Sequence, residues 1–99
     1  MTETTEIFYA GSSVFIDFPI DGGVLPVGMV CEAKLINKDG TVAATYTTTK
    51  NDVSGAFELR IPYTATTLFA GSLHTLLVRV TDTSTNYSDI IYDRKISWK

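Results

Sequence analysis

The side chains that could support catalysis or metal binding are few in this sequence of 99 residues. It contains one histidine, His74, and one cysteine, Cys31. A zinc site built on histidines needs more than one of them, and a nucleophilic thiol needs a nearby base, so neither chemistry is favoured. Both residues share a period-two apolar pattern with their neighbours. This pattern predicts a partly buried, hydrogen-bonded imidazole ring and a small buried thiol.

Carboxylates and glycines provide two further candidates for ligand binding. Asp82, Asp89 and Asp93 could bind calcium through their oxygens, but their spacing matches no calcium-binding loop. Gly22 and Gly23 lie in a turn-rich connector that no helix follows and no lysine accompanies, which disfavours a phosphate-binding loop. We therefore expect no enzymatic activity, no bound metal and no cofactor.

Composition and charge exclude several classes of partner. The net charge is −3 and the basic residues are not clustered, which disfavours nucleic-acid binding. The longest apolar runs are too short to cross a bilayer, and the polar, acidic N-terminus is unlike a signal peptide. We expect a chain that folds in a cytosol and forms one domain over residues 1–99, with residues 1–6 as a polar arm.

Apolar residues alternate with polar ones along most of the chain, and this period of two predicts β-strands. The clearest case is residues 57–61, where apolar and charged residues alternate strictly before a proline. The same pattern predicts strands over residues 14–20, 29–37, 42–46, 73–80 and 87–98. Turn signals separate the segments, above all Asp39 followed by Gly40.

Local details modify this strand pattern in three places. Pro19 cannot donate a ladder hydrogen bond, so its strand is predicted at the edge of a sheet. Arg94 interrupts the apolar face of the last strand, which predicts a bulge or a strand that leaves the core midway. Residues 63–69 predict a single helical turn, with Leu68 and Phe69 closing one end of the core.

Short strands separated by turn signals, without a long helix, predict an all-β fold. We predict an immunoglobulin-like antiparallel β-sandwich of about seven strands, with a five- or six-stranded barrel as the alternative. The disulfide and central tryptophan of antibody domains are absent, so the expected likeness is one of architecture only.

Apolar residues at outward-facing positions or near the chain ends indicate a contact surface. The residues predicted to form a protein interface are Ile7, Phe8, Tyr9, Tyr92 and Trp98. Other apolar residues have strand parities that face outward, namely Phe15, Val30, Ile36, Leu77 and Ile91. A terminal strand presents unpaired amides, so we expect it to pair with a neighbouring molecule.

Four segments together carry a resemblance to a known family. They are residues 11–18, with a glycine before an early apolar strand; residues 33–40, which end in the Asp-Gly turn; SGAFELRIP at 54–62; and LFAGSLHTLLVRV at 68–80. In this order they resemble the immunoglobulin-like N-terminal domain of tailed-phage upper-baseplate and tail-fibre attachment proteins. The chain departs from that pattern at His74, where the family usually has an aromatic residue, and it lacks the family's downstream fibre-forming segment.

The resemblance implies a non-enzymatic structural protein of a tailed-phage virion, made in the host cytoplasm. Such a protein acts as a multi-copy adaptor at the baseplate, tail fibre or neck, through contacts with other virion proteins and with its own copies. A capsid decoration or cement protein is one alternative. The other is a soluble immunoglobulin-like module or inhibitor that binds a host protein or glycan through residues 21–28 and 81–88.

Overall fold

The computed structural model describes residues 5–20 and 27–99, which form two β-sheets packed on each other. The strands are β1 (Thr5–Phe8), β2 (Val14–Pro19), β3 (Met29–Ile36), β4 (Val42–Thr47), β5 (Thr49–Asn51), β6 (Ala56–Ile61), β7 (Leu73–Asp82) and β8 (Tyr87–Trp98). Between β6 and β7 lie one helical turn, α1 (Tyr63–Thr66), and a 3₁₀ turn (Thr67–Phe69). The single helical turn predicted after Pro62 is therefore confirmed.

The two sheets have the strand arrangement of an immunoglobulin-like sandwich. One sheet has the order β1-β8-β7-β3-β4 and the other has the order β2-β6-β5. In immunoglobulin terms, β3, β7 and β8 correspond to strands C, F and G, and β2, β6 and β5 to strands B, E and D. The predicted sandwich is confirmed, with eight strands in the described part of the chain instead of about seven. All neighbouring strands are antiparallel except β1, which runs parallel to β8.

Alternate residues of the strands fill the space between the two sheets. The largest fully buried side chains include Phe57, Leu59 and Ile61 of β6, Leu76, Val78 and Val80 of β7, Leu35 of β3, and Ile96 and Trp98 of β8. Burial of such side chains is the main source of stability in a domain of this size. Pro19 ends β2 at the edge of the three-stranded sheet, as its missing donor predicted.

The turn between β3 and β4 follows the chemistry predicted for Asp39 and Gly40. The N–H of Asn37 donates to the carbonyl oxygen of Thr41 at 2.8 Å, which closes the loop. The Asp39 carboxylate accepts from the Thr41 N–H at 2.9 Å and from its hydroxyl at 2.6 Å. Gly40 has a φ of +90°, which a residue with a Cβ rarely adopts.

A bulge interrupts the pairing of β7 with β8, but not at the predicted residue. Val78 lies opposite Tyr92 and Arg79 lies opposite Ile90, so Ile91 is the extra residue on β8. A bulge in β8 is therefore confirmed, but its position is wrong, because it lies three residues before Arg94. Arg94 keeps its place opposite Leu76, and its guanidinium lies 5.7 Å from the centre of the Tyr92 ring.

A buried threonine ties the helical turn to the connection between β1 and β2. The hydroxyl oxygen of Thr66 accepts a hydrogen bond from the N–H of Gly11 at 3.0 Å. The same hydroxyl lies within donating distance of the carbonyl oxygens of Ser12 (2.9 Å) and Tyr63 (3.0 Å). One side chain thus satisfies backbone groups from two segments that are far apart in sequence.

Two predictions about the ends of the fold need correction. Phe69 packs on Trp98 with ring centroids 5.0 Å apart, as expected, but Leu68 is 85% exposed. Consecutive residues of a short helical turn point in different directions, so both could not enter the core. The predicted arm is also wrong for its last two residues, because Thr5 and Glu6 belong to β1. Residues 1–4 lie outside the described residues.

Candidate functional site

Of the five predicted contact residues, Trp98 belongs to the core and half-buried Phe8 packs against it. Trp98 is 1% exposed, and its ring centroid lies 5.4 Å from that of Phe8 in an edge-to-face arrangement. Backbone hydrogen bonds from Gly71 N–H to Trp98 and from Trp98 N–H to Ser72, both 3.0 Å long, hold it there. The predicted exposure of Trp98 is wrong because the period of two in β8 directs Ile96 and Trp98 to the same inner face.

The other three predicted contact residues are accessible to different degrees. Ile7 is 53% exposed and Tyr9 is 62% exposed. Tyr92 is half-buried, with its ring 5.4 Å from that of Phe18, and burial raises the pKa of its phenol. Ile7 and Tyr9 therefore remain predicted contact residues. Tyr92 is only partly accessible to a partner.

The outer face of the five-stranded sheet collects exposed apolar side chains from all of its strands. The contributing residues are Ile7, Val30, Val42, Leu73 and Ile90, one from each strand. We call these five residues the outer apolar set. Half-buried Ile36 and Leu77 lie on the same face, opposite Val42 on β4 and Asp93 on β8 respectively. The strand register disperses these apolar residues over the face, with Val30 opposite Thr81 and Ile90 opposite Arg79.

The alternation of residues along the strands predicted some residues of this outer face but not Ile90, for a physical reason. Val30, Ile36 and Leu77 have the outward parity that the alternation predicted. Ile90 was assigned to the inner face, because its parity matches that of Ile96. Because Ile91 is an extra residue, the residues of β8 that precede it point to the face opposite to the one predicted from Ile96. Ile90 therefore points outward.

The outer face of the three-stranded sheet is different because charged groups dominate it. Arg60 lies 2.9 Å from Asp17 and 3.5 Å from Glu58. Its guanidinium also lies 4.8 Å from the centre of the exposed Phe15 ring. A cation over an aromatic face competes with any apolar partner for that ring. We therefore place the candidate functional site on the five-stranded sheet.

A depression of about 470 Å³ lies at one end of the candidate face. It is lined by Thr5, Ile36, Asn37, Lys38, Leu73, His74, Thr75 and Lys95. Thr5, Lys95, Thr75 and Ile36 form one row across four neighbouring strands, by the strand register. No carboxylate occurs in this described lining, whereas two lysines do.

His74 borders the depression with a largely buried ring. The ring packs edge-on against Phe69 with centroids 5.1 Å apart. Its Nδ1 atom is buried without a hydrogen-bond partner in the described part of the chain, so the predicted hydrogen bond is not made by this atom. Burial lowers the pKa of His74 below its ordinary value of 6.5, because the protonated form loses its hydration.

We expect the burial of His74 to make stability depend on pH. The unfolded chain binds a proton near pH 6.5 and the folded chain does so only at lower pH, so protonation favours unfolding. The free energy of unfolding should therefore fall as pH decreases through about 6.5. Chemical denaturation at pH 7.5 and pH 5.0 measures this loss. His74→Phe keeps an aromatic ring without a titrating group and should lose less stability; equal losses in both proteins would contradict this account.

The other groups considered for chemistry lie apart from one another. Asp82 is buried, and its carboxylate accepts from the Ser84 N–H at 3.0 Å and from the Ser84 hydroxyl at 2.6 Å. Asp89 accepts from the Tyr87 hydroxyl at 3.2 Å. Within residues 5–20 and 27–99, no three His, Cys, Asp or Glu side chains are grouped closely enough to share a metal ion.

Cys31 is the small buried residue that its pattern predicted. It is 4% exposed, and burial raises the pKa of its thiol. A thiol whose pKa is raised forms little thiolate at neutral pH, so it is a poor nucleophile.

The two loops predicted to bind a host protein or glycan are residues 21–28 and 81–88. Residues 21–26 of the first loop lie outside the described residues.

Comparisons with protein-family models, with characterised proteins and with solved structures find no match for this chain. The described residues also form no helix with the length and apolar character needed to cross a membrane.

Proposed function

We propose that this chain is a non-enzymatic structural protein of a tailed-phage virion, which acts in multiple copies at the baseplate, tail fibre or neck. In this proposal its partners are other virion proteins and its own copies. The phage assignment depends on the resemblance of residues 11–18, 33–40, 54–62 and 68–80 to upper-baseplate and tail-fibre attachment domains. The mode of action depends on the surface of the fold.

The observation that supports contact with proteins is the outer apolar set. Its five residues share one face of one sheet, where a flat partner surface can cover them together. Charged side chains lie between them, including Glu32 and Lys34 with their charged atoms 3.4 Å apart. This mixture of apolar contacts and charge is typical of protein interfaces, in which charges set the orientation of the partners.

Mass spectrometry of density-gradient-purified particles from the source that encodes the chain tests the proposal. We expect its peptides in the particle fraction, at several copies per tail. A capsid decoration protein would instead scale with the number of major capsid subunits. Recovery only from the soluble fraction would contradict a virion role and would favour the soluble binding module.

A further inference from the structure

The two sheets expose strand edges that differ in their protection against pairing. Natural sheets protect an edge with charges, prolines, bulges or very short strands. In the three-stranded sheet, β2 carries Asp17 and Pro19, and β5 has only three residues, one of them Lys50. In the five-stranded sheet, β1 has only four residues, one of them Glu6.

The edge of β8 that extends beyond β1 is protected as well. β1 pairs only with the last residues of β8, from Lys95 to Trp98. The preceding part of β8 carries the bulge at Ile91 and the charged residues Asp89, Asp93 and Arg94. A neighbouring strand would have to match both the bulge and the charges.

The edge of β4 lacks these protections over most of its length. No charged residue, proline or glycine occurs from residue 41 to residue 49, and β4 spans Val42–Thr47 within this segment. A register shift leaves Ala43 as an extra residue near the start of the strand, but residues 44–47 pair regularly with β3. No strand in the described residues covers the outer edge of β4. Its outer N–H and C=O groups can therefore accept another strand.

We infer that β4 pairs antiparallel with β4 of a second copy of the chain, across a two-fold axis near Thr45. Thr45 then faces its own counterpart, and Ala44 faces Tyr46 in each direction, so a small side chain lies beside each large one. No charge meets a like charge. On β8, antiparallel self-pairing about Ile91 would place Asp89 opposite Asp93, and this repulsion disfavours that edge.

This inference rests on the proposed multi-copy function, because repeated copies supply the high local concentration at which a short strand pairing forms. Its consequence is one continuous ten-stranded sheet over two molecules, since each contributes five strands. The outer faces of the two sheets then join into one face that carries the outer apolar sets of both copies.

Sedimentation analysis of wild type and Thr45→Lys tests the pairing. Thr45 is exposed, so the substitution should leave the thermal midpoint nearly unchanged while placing two ammonium groups together at the axis. We expect the dimer dissociation constant to rise at least about tenfold, because like charges repel across an interface. Thr83→Lys places the same change in the exposed loop between β7 and β8, and it should dimerise like wild type.

Hydrogen exchange locates the contact independently of any variant. Exchange should slow, as the protein concentration rises, at those N–H groups of residues 44–47 that point away from β3. A dimer that survives Thr45→Lys, with slowed exchange elsewhere, would overturn the β4 inference and leave the multi-copy proposal intact. A wild-type protein that stays monomeric at every concentration would overturn both.

Discussion

Trp98→Ala is expected to lower the free energy of unfolding by about 3–5 kcal/mol, the usual cost of removing a large aromatic side chain from a core. Trp98 is almost fully buried and contacts the rings of Phe8 and Phe69, at centroid distances of 5.4 and 5.0 Å. A domain of this size has about 5–15 kcal/mol of stability, so the variant should be close to unfolding. Thermal unfolding followed by circular dichroism should show a midpoint roughly 12–40 °C lower.

Two further variants separate the loss of packing from other effects. Tyr9→Ala removes an exposed aromatic residue near the same end of the fold and should change stability by less than about 0.5 kcal/mol. Trp98→Phe keeps an aromatic ring and removes an indole N–H that has no hydrogen-bond partner among the described residues, so it should cost less than Trp98→Ala. A Trp98→Ala protein as stable as Tyr9→Ala would show that this tryptophan lies outside the core.

Thr66→Val should lower the free energy of unfolding by about 1–3 kcal/mol, although it nearly preserves the shape of the side chain. The hydroxyl oxygen accepts from the Gly11 N–H at 3.0 Å and lies 2.9 Å from the Ser12 carbonyl oxygen. Valine can replace neither contact, so it leaves a backbone donor without a partner in a part-buried site. Urea denaturation measures the loss.

Thr66→Ser and Thr67→Val are the matched controls. Serine keeps the hydroxyl and loses one methyl group, so it should retain more stability than valine. Thr67 is exposed, and its hydroxyl donates to the Thr64 carbonyl oxygen of the same helical turn at 3.0 Å, so Thr67→Val should have a small effect. A Thr66→Val protein as stable as Thr67→Val would show that the hydrogen bonds of the Thr66 hydroxyl contribute little to stability.

Most of the fold could be predicted because local patterns agree with the tertiary structure. Three local patterns each favour the structure that the fold contains at that place. They are the period of two at residues 57–61, the Asp39-Gly40 turn, and Pro19 at the end of β2. The parallel pairing of β1 with β8 could not be predicted, because it joins the two ends of the chain and no local pattern records it. Thr66 was missed for the same reason, since its partners Gly11 and Ser12 are more than 50 residues away.

The candidate site could be predicted only in part because exposure depends on neighbouring strands. Ile7 and Tyr9 are exposed as expected, but Phe8 and Trp98 meet each other in the core, which a count of apolar residues near the ends cannot show. The contact surface also needed the bulge at Ile91 to be located before Ile90 could be assigned to the outer face. The depression beside His74 needs four aligned strands, so it is visible only in the folded chain.

Light scattering on the purified protein over a range of concentrations tests most directly whether the chain assembles in multiple copies. We predict that the mass rises with concentration to a defined multiple of 10.8 kDa. A mass that stays at 10.8 kDa at every concentration would contradict self-assembly of the chain.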